Sequence, residues 1–162
     1  MSDQKINVLL VDDEEALLHS MQKRLQFRNF NVIAVNRGEK ALEAAREQAV
    51  DVAIVDVKMP GMSGKEVLKA LKAAYPWMEV IILTGHGSFD PKEEGVAGKI
   101  HGCLAKPCDL ATLQETLVAA YKKTVMNRQQ IEPEEMDAIL ADVPEASPDA
   151  VLQKLKDMDE HS

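Results

Sequence analysis

The sequence predicts an α/β protein: a doubly wound, five-stranded parallel sheet followed by short C-terminal helices. Three observations lead there. Short apolar runs alternate with amphipathic helical patterns through the first 124 of 162 residues. Several of those runs are apolar without a break, as strands covered on both faces by helices must be. Hydrophobic residues are 46% of the chain and aromatics only 4%, so a sizeable core is available and aliphatic side chains must fill it.

The strands are expected at Ile6–Val11 (INVLLV), Val32–Val35, Val52–Val55 (VAIV), Val80–Leu83 (VIIL) and Gly102–Ala105. Ala16, Leu17, Leu18, Met21 and Leu25 mark the first helix. Ala41, Leu42, Ala45 and Ala49 mark the second, opened by Gly38 and Glu39. Val67, Leu68, Leu71 and Ala74 define a third, ended by Pro76. A fourth is expected between Gly87 and Gly102, but Pro91, Gly95 and Gly98 make it short or mobile, at about 1 kcal/mol per interior glycine. Leu110, Leu113, Leu117, Ala120 and Tyr121 define the fifth. Regular alternation implies right-handed crossovers, and such sheets place their chemistry beyond the carboxyl ends of the strands.

Those ends carry distinctive groups. Asp12, Asp13, Glu14 and Glu15 follow the first strand, Asp56 the third, Thr84 the fourth, and Lys106 with Pro107 the fifth. In a parallel sheet they converge on one crevice holding carboxylates, a hydroxyl and an ammonium. Crowded carboxylates repel one another, so a bound cation is expected, and hard oxygen ligands with room for water favour Mg²⁺. A metal beside Thr84 and Lys106 would neutralise a phosphoryl group while Asp56 attacks as a carboxylate nucleophile. Taken singly, Asp12 or Asp13 would be a helix N-cap, Thr84 a strand-end turn residue, Lys106 a solvated lysine, and Pro60, Gly61 and Gly64 a surface turn. Their joint placement is what argues for a site.

The motifs VLLVDDEE, IVDVKMPGMSG, IILTGHG and LAKPCD, in that order, resemble the receiver domain of bacterial two-component response regulators over about residues 5–124. The resemblance implies a flavodoxin-like receiver fold at 1–124, with 125–162 as an acidic helical extension. It implies that Asp13 and Asp56 contact Mg²⁺ directly, Asp12 through water, and the Lys58 carbonyl as a further ligand. Asp56 would accept a phosphoryl group from a sensor histidine kinase, with Thr84 and Lys106 holding its oxygens, so the protein would be a phosphoacceptor and not a conventional enzyme. Phosphatases of the haloacid-dehalogenase type need a D-x-D motif after the first strand, which Asp12-Asp13-Glu14-Glu15 does not supply.

Two departures from the family pattern stand out. Where receivers commonly carry a switching aromatic, three positions before the lysine, this chain has Cys103, which reads as a small buried residue; Cys103 and Cys108 together read as buried free thiols. With a weak fourth helix, phosphorylation would then order or shift the segment Ser88–His101. Lys58 and His86 lie two residues after Asp56 and Thr84, where the family pattern sets phosphoryl lifetime; His86 reads equally as a solvent-exposed loop imidazole.

Residues 1–124 hold 16 basic and 17 acidic side chains, whereas 125–162 hold 3 and 10. The negative charge therefore sits in the extension, which disfavours contact with nucleic acid or anionic membranes. The extension carries two amphipathic stretches. Met136, Ile139, Leu140 and Val143 form one, over Pro133–Val143. Val151, Leu152, Leu155 and Met158 form the other, opened by Ser147 as N-cap and Pro148. Helices of that length are marginal alone and need a covering surface, either their own receiver, a second copy in a homodimer, or a target. No apolar run reads as a signal peptide or membrane span, so a cytoplasmic protein is expected. The output is expected to pass through protein contact without a DNA-binding domain. Two alternatives are a phosphorelay intermediate that passes its phosphoryl group to a histidine phosphotransfer protein, and a structural dimerisation module with an idle site.

Overall fold

The structure, a computed structural model, describes residues 5–85, 89–144 and 147–160. Strands β1 (Ile6–Val11), β2 (Phe30–Val35), β3 (Val52–Asp56), β4 (Glu79–Thr84) and β5 (Gly102–Ala105) form one parallel sheet in the order β2-β1-β3-β4-β5. The doubly wound sheet expected from the apolar runs is therefore present. The order reverses at β1, and β1 and β3 are neighbours with Val11 opposite Val55, so the residues following them emerge side by side.

Helices α1 (Glu15–Phe27) and α4 (Leu110–Gln129) cover one face, and α2 (Gly38–Glu47) and α3 (Gly64–Ala74) the other. The alternation of β3 and β4 fills both cores: Val52, Ile54, Ile81 and Leu83 point to the first, Ala53, Val55, Val80 and Ile82 to the second. Helix α3 begins with a capping box, Ser63 Oγ accepting from the Glu66 N–H at 3.3 Å while the Glu66 carboxylate accepts from the Ser63 N–H. Helix α4 begins at Asp109, whose carboxylate accepts from the Thr112 N–H at 2.8 Å.

Between β4 and β5 no helix forms among the described residues; 91–95 and 97–99 are turns. Gly95 and Gly98 adopt φ of +74° and +82°, left-handed values that break a helix twice, and only Val96 is fully buried there. This corrects the reading of Cys103. It is exposed because β5 is an edge strand and the turns before it leave its outer positions uncovered, and Cys108, in the loop after β5, is half-buried against the core. The burial Cys103 retains still pushes its thiol pKa up, so nothing here activates it as a nucleophile.

The extension folds back. Helix α5 (Pro133–Ile139) is shorter than the stretch expected, ending in turns that carry Leu140; α6 (Pro148–Glu160) begins as expected, with Ser147 Oγ accepting from the Ala150 N–H at 3.3 Å. Met136, Leu152 and Leu155 bury against the core that α1 and α4 share with the sheet, so the covering surface is the chain's own. Helix α4 runs to Gln129 and ends on Gln130 at φ 54°. From its last turns Arg128 reaches Asp51 (3.0 Å) and Asp159 (2.7 Å) while its guanidinium lies 4.0 Å over Trp77. Asp159 also accepts from the Tyr121 hydroxyl at 2.9 Å, and Gln129 donates to the Met158 carbonyl at 2.7 Å. No described helix is long and apolar enough to cross a membrane.

Candidate functional site: a carboxylate cluster bridged by lysine

The strand ends converge as the topology requires. Carboxylate oxygens of Asp12, Asp13 and Asp56 all lie within 4.8 Å of one another. Asp12 and Asp56 are buried, Asp13 exposed, so the cluster has a dry wall and an open mouth. Asp12 Oδ1 accepts from the Glu14 N–H at 2.9 Å, a local turn that also delivers the chain into α1. Asp12 Oδ2 is buried and sits 2.8 Å from Lys106 Nζ, its charged partner.

Lys106 ties the cluster together. Its ammonium is also 3.3 Å from Asp56 Oδ2 and 3.3 Å from Glu14 Oε1, so one cation spans both strand ends. Its backbone is held by the Lys106 N–H donating to the Thr84 carbonyl at 2.8 Å, which ties the β5 end to the β4 end. Burial alone would lower the Lys106 pKa, but close contact with Asp12, the charges of Asp12 and Asp56, and the hydrogen bond to Glu14 outweigh it and raise it.

Asp56 moves the other way from an ordinary carboxylate. Burial first, then the Asp12 charge, push it from 3.8 up to about 6; Lys106 and the Lys58 backbone N–H oppose the rise without cancelling it. A metal-free cluster of this kind resists holding its full negative charge, and a divalent cation removes that resistance. The all-oxygen donor set of Asp12, Asp13 and Asp56, open to solvent on the Asp13 side, fits Mg²⁺.

Thr84 stands half-buried at the end of β4, paired across to Ala105. Lys58 has an exposed side chain, while its backbone faces Asp56. His86 and Ser88 lie outside the described residues. The turn 60–64 is more than a surface turn at one position. Gly64 packs so closely under Asp56 that a Cβ built on it collides with the Asp56 carbonyl oxygen. Its N–H donates to the Val57 carbonyl at 3.1 Å, fixing the loop that follows the buried carboxylate. Neither Glu14 nor Gly64 carries a distinguishing signal in the sequence, Glu14 being one acid in a run of four and Gly64 one glycine in a turn-rich stretch.

A model of the response regulator receiver domain family matches residues 8–118. The transcriptional regulatory protein ZraR of Escherichia coli (strain K12) is 36% identical over 124 residues, 76% of this chain and 28% of ZraR, so the chain spans under a third of that relative's length. Among solved structures, the Vibrio cholerae chemotaxis protein CheY4 is 34% identical, with a TM-score of 0.68 over 72% of this chain and 99% of that one. The response regulator protein TrrA of Thermotoga maritima, solved in complex with Mg(2+)-BeF, shares the fold with a TM-score of 0.65 over 71% of this chain and 98% of its own, at 23% identity.

Proposed function

The chain belongs to the response regulator receiver domain family, and from that premise we propose that it is a signalling receiver phosphorylated on Asp56. Receiver domains are signalling modules, not conventional enzymes, and histidine kinases phosphorylate them. The observation that carries the reading to this chain is the Lys106 ammonium bridging buried Asp12 and buried Asp56 beside the open Asp13 carboxylate.

Asp13 and Asp56 would hold Mg²⁺ directly, with the Lys58 carbonyl, and Asp12 would act through water. Bound there, the metal supplies charge neutralisation for the phosphoryl oxygens. The chain's own residues supply the rest. An Asp56 carboxylate oxygen forms a bond to phosphorus as the bond from phosphorus to the donor's histidine nitrogen breaks, and the departing imidazole takes up a proton. Lys106, 3.3 Å from Asp56, would turn from Asp12 to pair with a phosphoryl oxygen, and the hydroxyl of Thr84, at the end of the adjacent strand β4, would hold another.

The donor would be a sensor histidine kinase and the setting cytoplasmic. Output would pass by protein contact, to a target or a histidine phosphotransfer protein. The acidic extension, with 10 acidic and 3 basic residues, supports contact with protein over nucleic acid. The test is incubation with acetyl phosphate and Mg²⁺ followed by intact-mass measurement. Wild type gains one phosphoryl group, and Asp56→Asn gains none. Labelling that persists in Asp56→Asn, or needs no divalent ion, overturns the reading.

A further inference from the structure

The folded-back extension creates a surface that neither the sheet nor the phosphorylation site uses. A groove of about 580 Å³ runs between α4 and the α5–α6 pair. Its floor and walls are aliphatic: Val118 and Ala119 from α4, Leu140 and Val143 from the turns after α5, and Val151 from α6. Ala119 is exposed and the other four are half-buried, although the same helices bury Met136, Leu152 and Leu155 completely or nearly so in the core beneath. Docking has therefore consumed one stripe of the extension and left a second stripe facing out.

The charge of the extension beside the groove is predominantly acidic: 125–162 hold 10 acidic and 3 basic residues, the basic ones being Arg128, Lys154 and Lys156. From Gln129 to Gln153 the chain has seven acidic residues and no lysine or arginine. Glu132, Glu134, Glu135, Asp137 and Asp142 are all exposed, and Glu115 flanks the α4 wall. The basic side chain on the rim, Lys122, is paired with Asp137 at 3.8 Å. An aliphatic slot between helices with an acidic margin suits the apolar face of a helix whose flanks are basic. A second copy of this chain fits badly, because it would set one acidic extension against another on molecules of formal charge -8.

We infer that the groove between α4 and the α5–α6 pair is a docking site for a basic amphipathic helix of a partner protein. The inference rests on the protein-contact part of the proposed function and on nothing about phosphorylation. The probe is an amphipathic Leu/Lys peptide about four helical turns long, titrated into the full chain by NMR and calorimetry. Shifts should concentrate on Val118, Ala119, Leu140, Val143 and Val151. Ala119→Trp, which fills the slot from an exposed position without changing charge, should weaken binding at least about tenfold. Asp137→Asn with Glu134→Gln should weaken it less, and added salt should mimic that pair.

Binding that survives Ala119→Trp, with shifts spread over the acidic surface, would be non-specific charge attraction and overturns the proposal. A concentration-dependent dimer that Ala119→Trp abolishes without peptide would assign the groove to a second copy and also overturns it. Circular dichroism of Ala119→Trp separates loss of the slot from loss of the fold; if that variant unfolds, Val151→Ser supplies the same comparison. Failure of the peptide to bind while acetyl phosphate still modifies Asp56 would remove this inference and leave the phosphoacceptor reading standing.

Discussion

Replacing Leu155 with alanine tests whether the extension is an integral layer of the fold. Leu155 is fully buried in the core formed by α1, α4 and the sheet. Truncating such a leucine costs about 2.7–5 kcal/mol where the surroundings cannot collapse. Here there is a ceiling. Helix α6 has 13 residues and holds on with Leu152 and Leu155 as its buried anchors, each contributing about 1.5–3 kcal/mol on burial, against the cost of ordering the helix. Once the loss reaches the docking free energy, α6 detaches and no further cost accrues. The expected effect of Leu155→Ala is therefore about 2–3 kcal/mol, and Leu155→Asp should cost hardly more because both saturate at undocking.

Urea unfolding followed by Trp77 fluorescence reads this directly. Trp77 is the sole tryptophan and lies under Arg128, which is tied to Asp159 of α6, so undocking changes its environment. Phe27→Ala is the control: at 87% exposure it should shift stability by no more than about 0.5 kcal/mol. If Leu155→Ala behaves like Phe27→Ala, the burial argument for the extension is wrong. If Leu155→Asp costs several kcal/mol more than Leu155→Ala, the ceiling is wrong and α6 cannot detach alone.

Three further outcomes follow from the geometry. In metal-free protein the folded-state pKa of Asp56, about 6, lies above its ordinary 3.8, so its contribution is fully present below about pH 4 and lost as pH rises through 6. Asp56→Asn should thus gain stability relative to wild type as pH goes from 4 to 7 in chelator, and a pH-independent difference would contradict the burial of that carboxylate. Gly64→Ala should cost at least about 2 kcal/mol, read by thermal melting, because its Cβ meets the Asp56 carbonyl; it should also weaken Mg²⁺ binding by displacing the carboxylate. A double-mutant cycle on Arg128 and Asp159 should show about 1–2 kcal/mol of coupling, with Arg128→Ala costing more than Asp159→Ala because it also strands the buried Asp51; additive costs would show the contact to be incidental.

The site was legible in the sequence because parallel topology turns chain order into proximity. Once VLLV, VAIV, VIIL and GCLA are parallel strands, whatever follows them must meet at one end, and Asp12, Asp56, Thr84 and Lys106 follow them in turn. Glu14 and Gly64 were less legible, since a lysine's choice among several acids and a glycine's clearance from a neighbouring carbonyl depend on ångström-scale placement. The exposure of Cys103 is hidden from the sequence for a related reason. A short strand reads as buried when a helix is assumed to cover it, and the glycines that weaken that helix also uncover the strand.

The extension shows where pattern reading stops. Helical periodicity identified its apolar stripes but not what they face, because Met136 and Leu155 pack on an identical footing whether the opposing surface is intramolecular or not. What decides the matter is Arg128, a residue without any distinguishing sequence context. On the last turn of α4 it reaches Asp51 at the base of the sheet and Asp159 at the end of α6, and both carboxylates are largely removed from solvent. Removing α6 would leave the guanidinium with one buried partner where two now share it, and would leave the Tyr121 hydroxyl without its acceptor. The polar pairing thus selects the intramolecular arrangement that the apolar stripes alone permit. The acids it does not use, along α5 and into α6, are the ones left to face a partner.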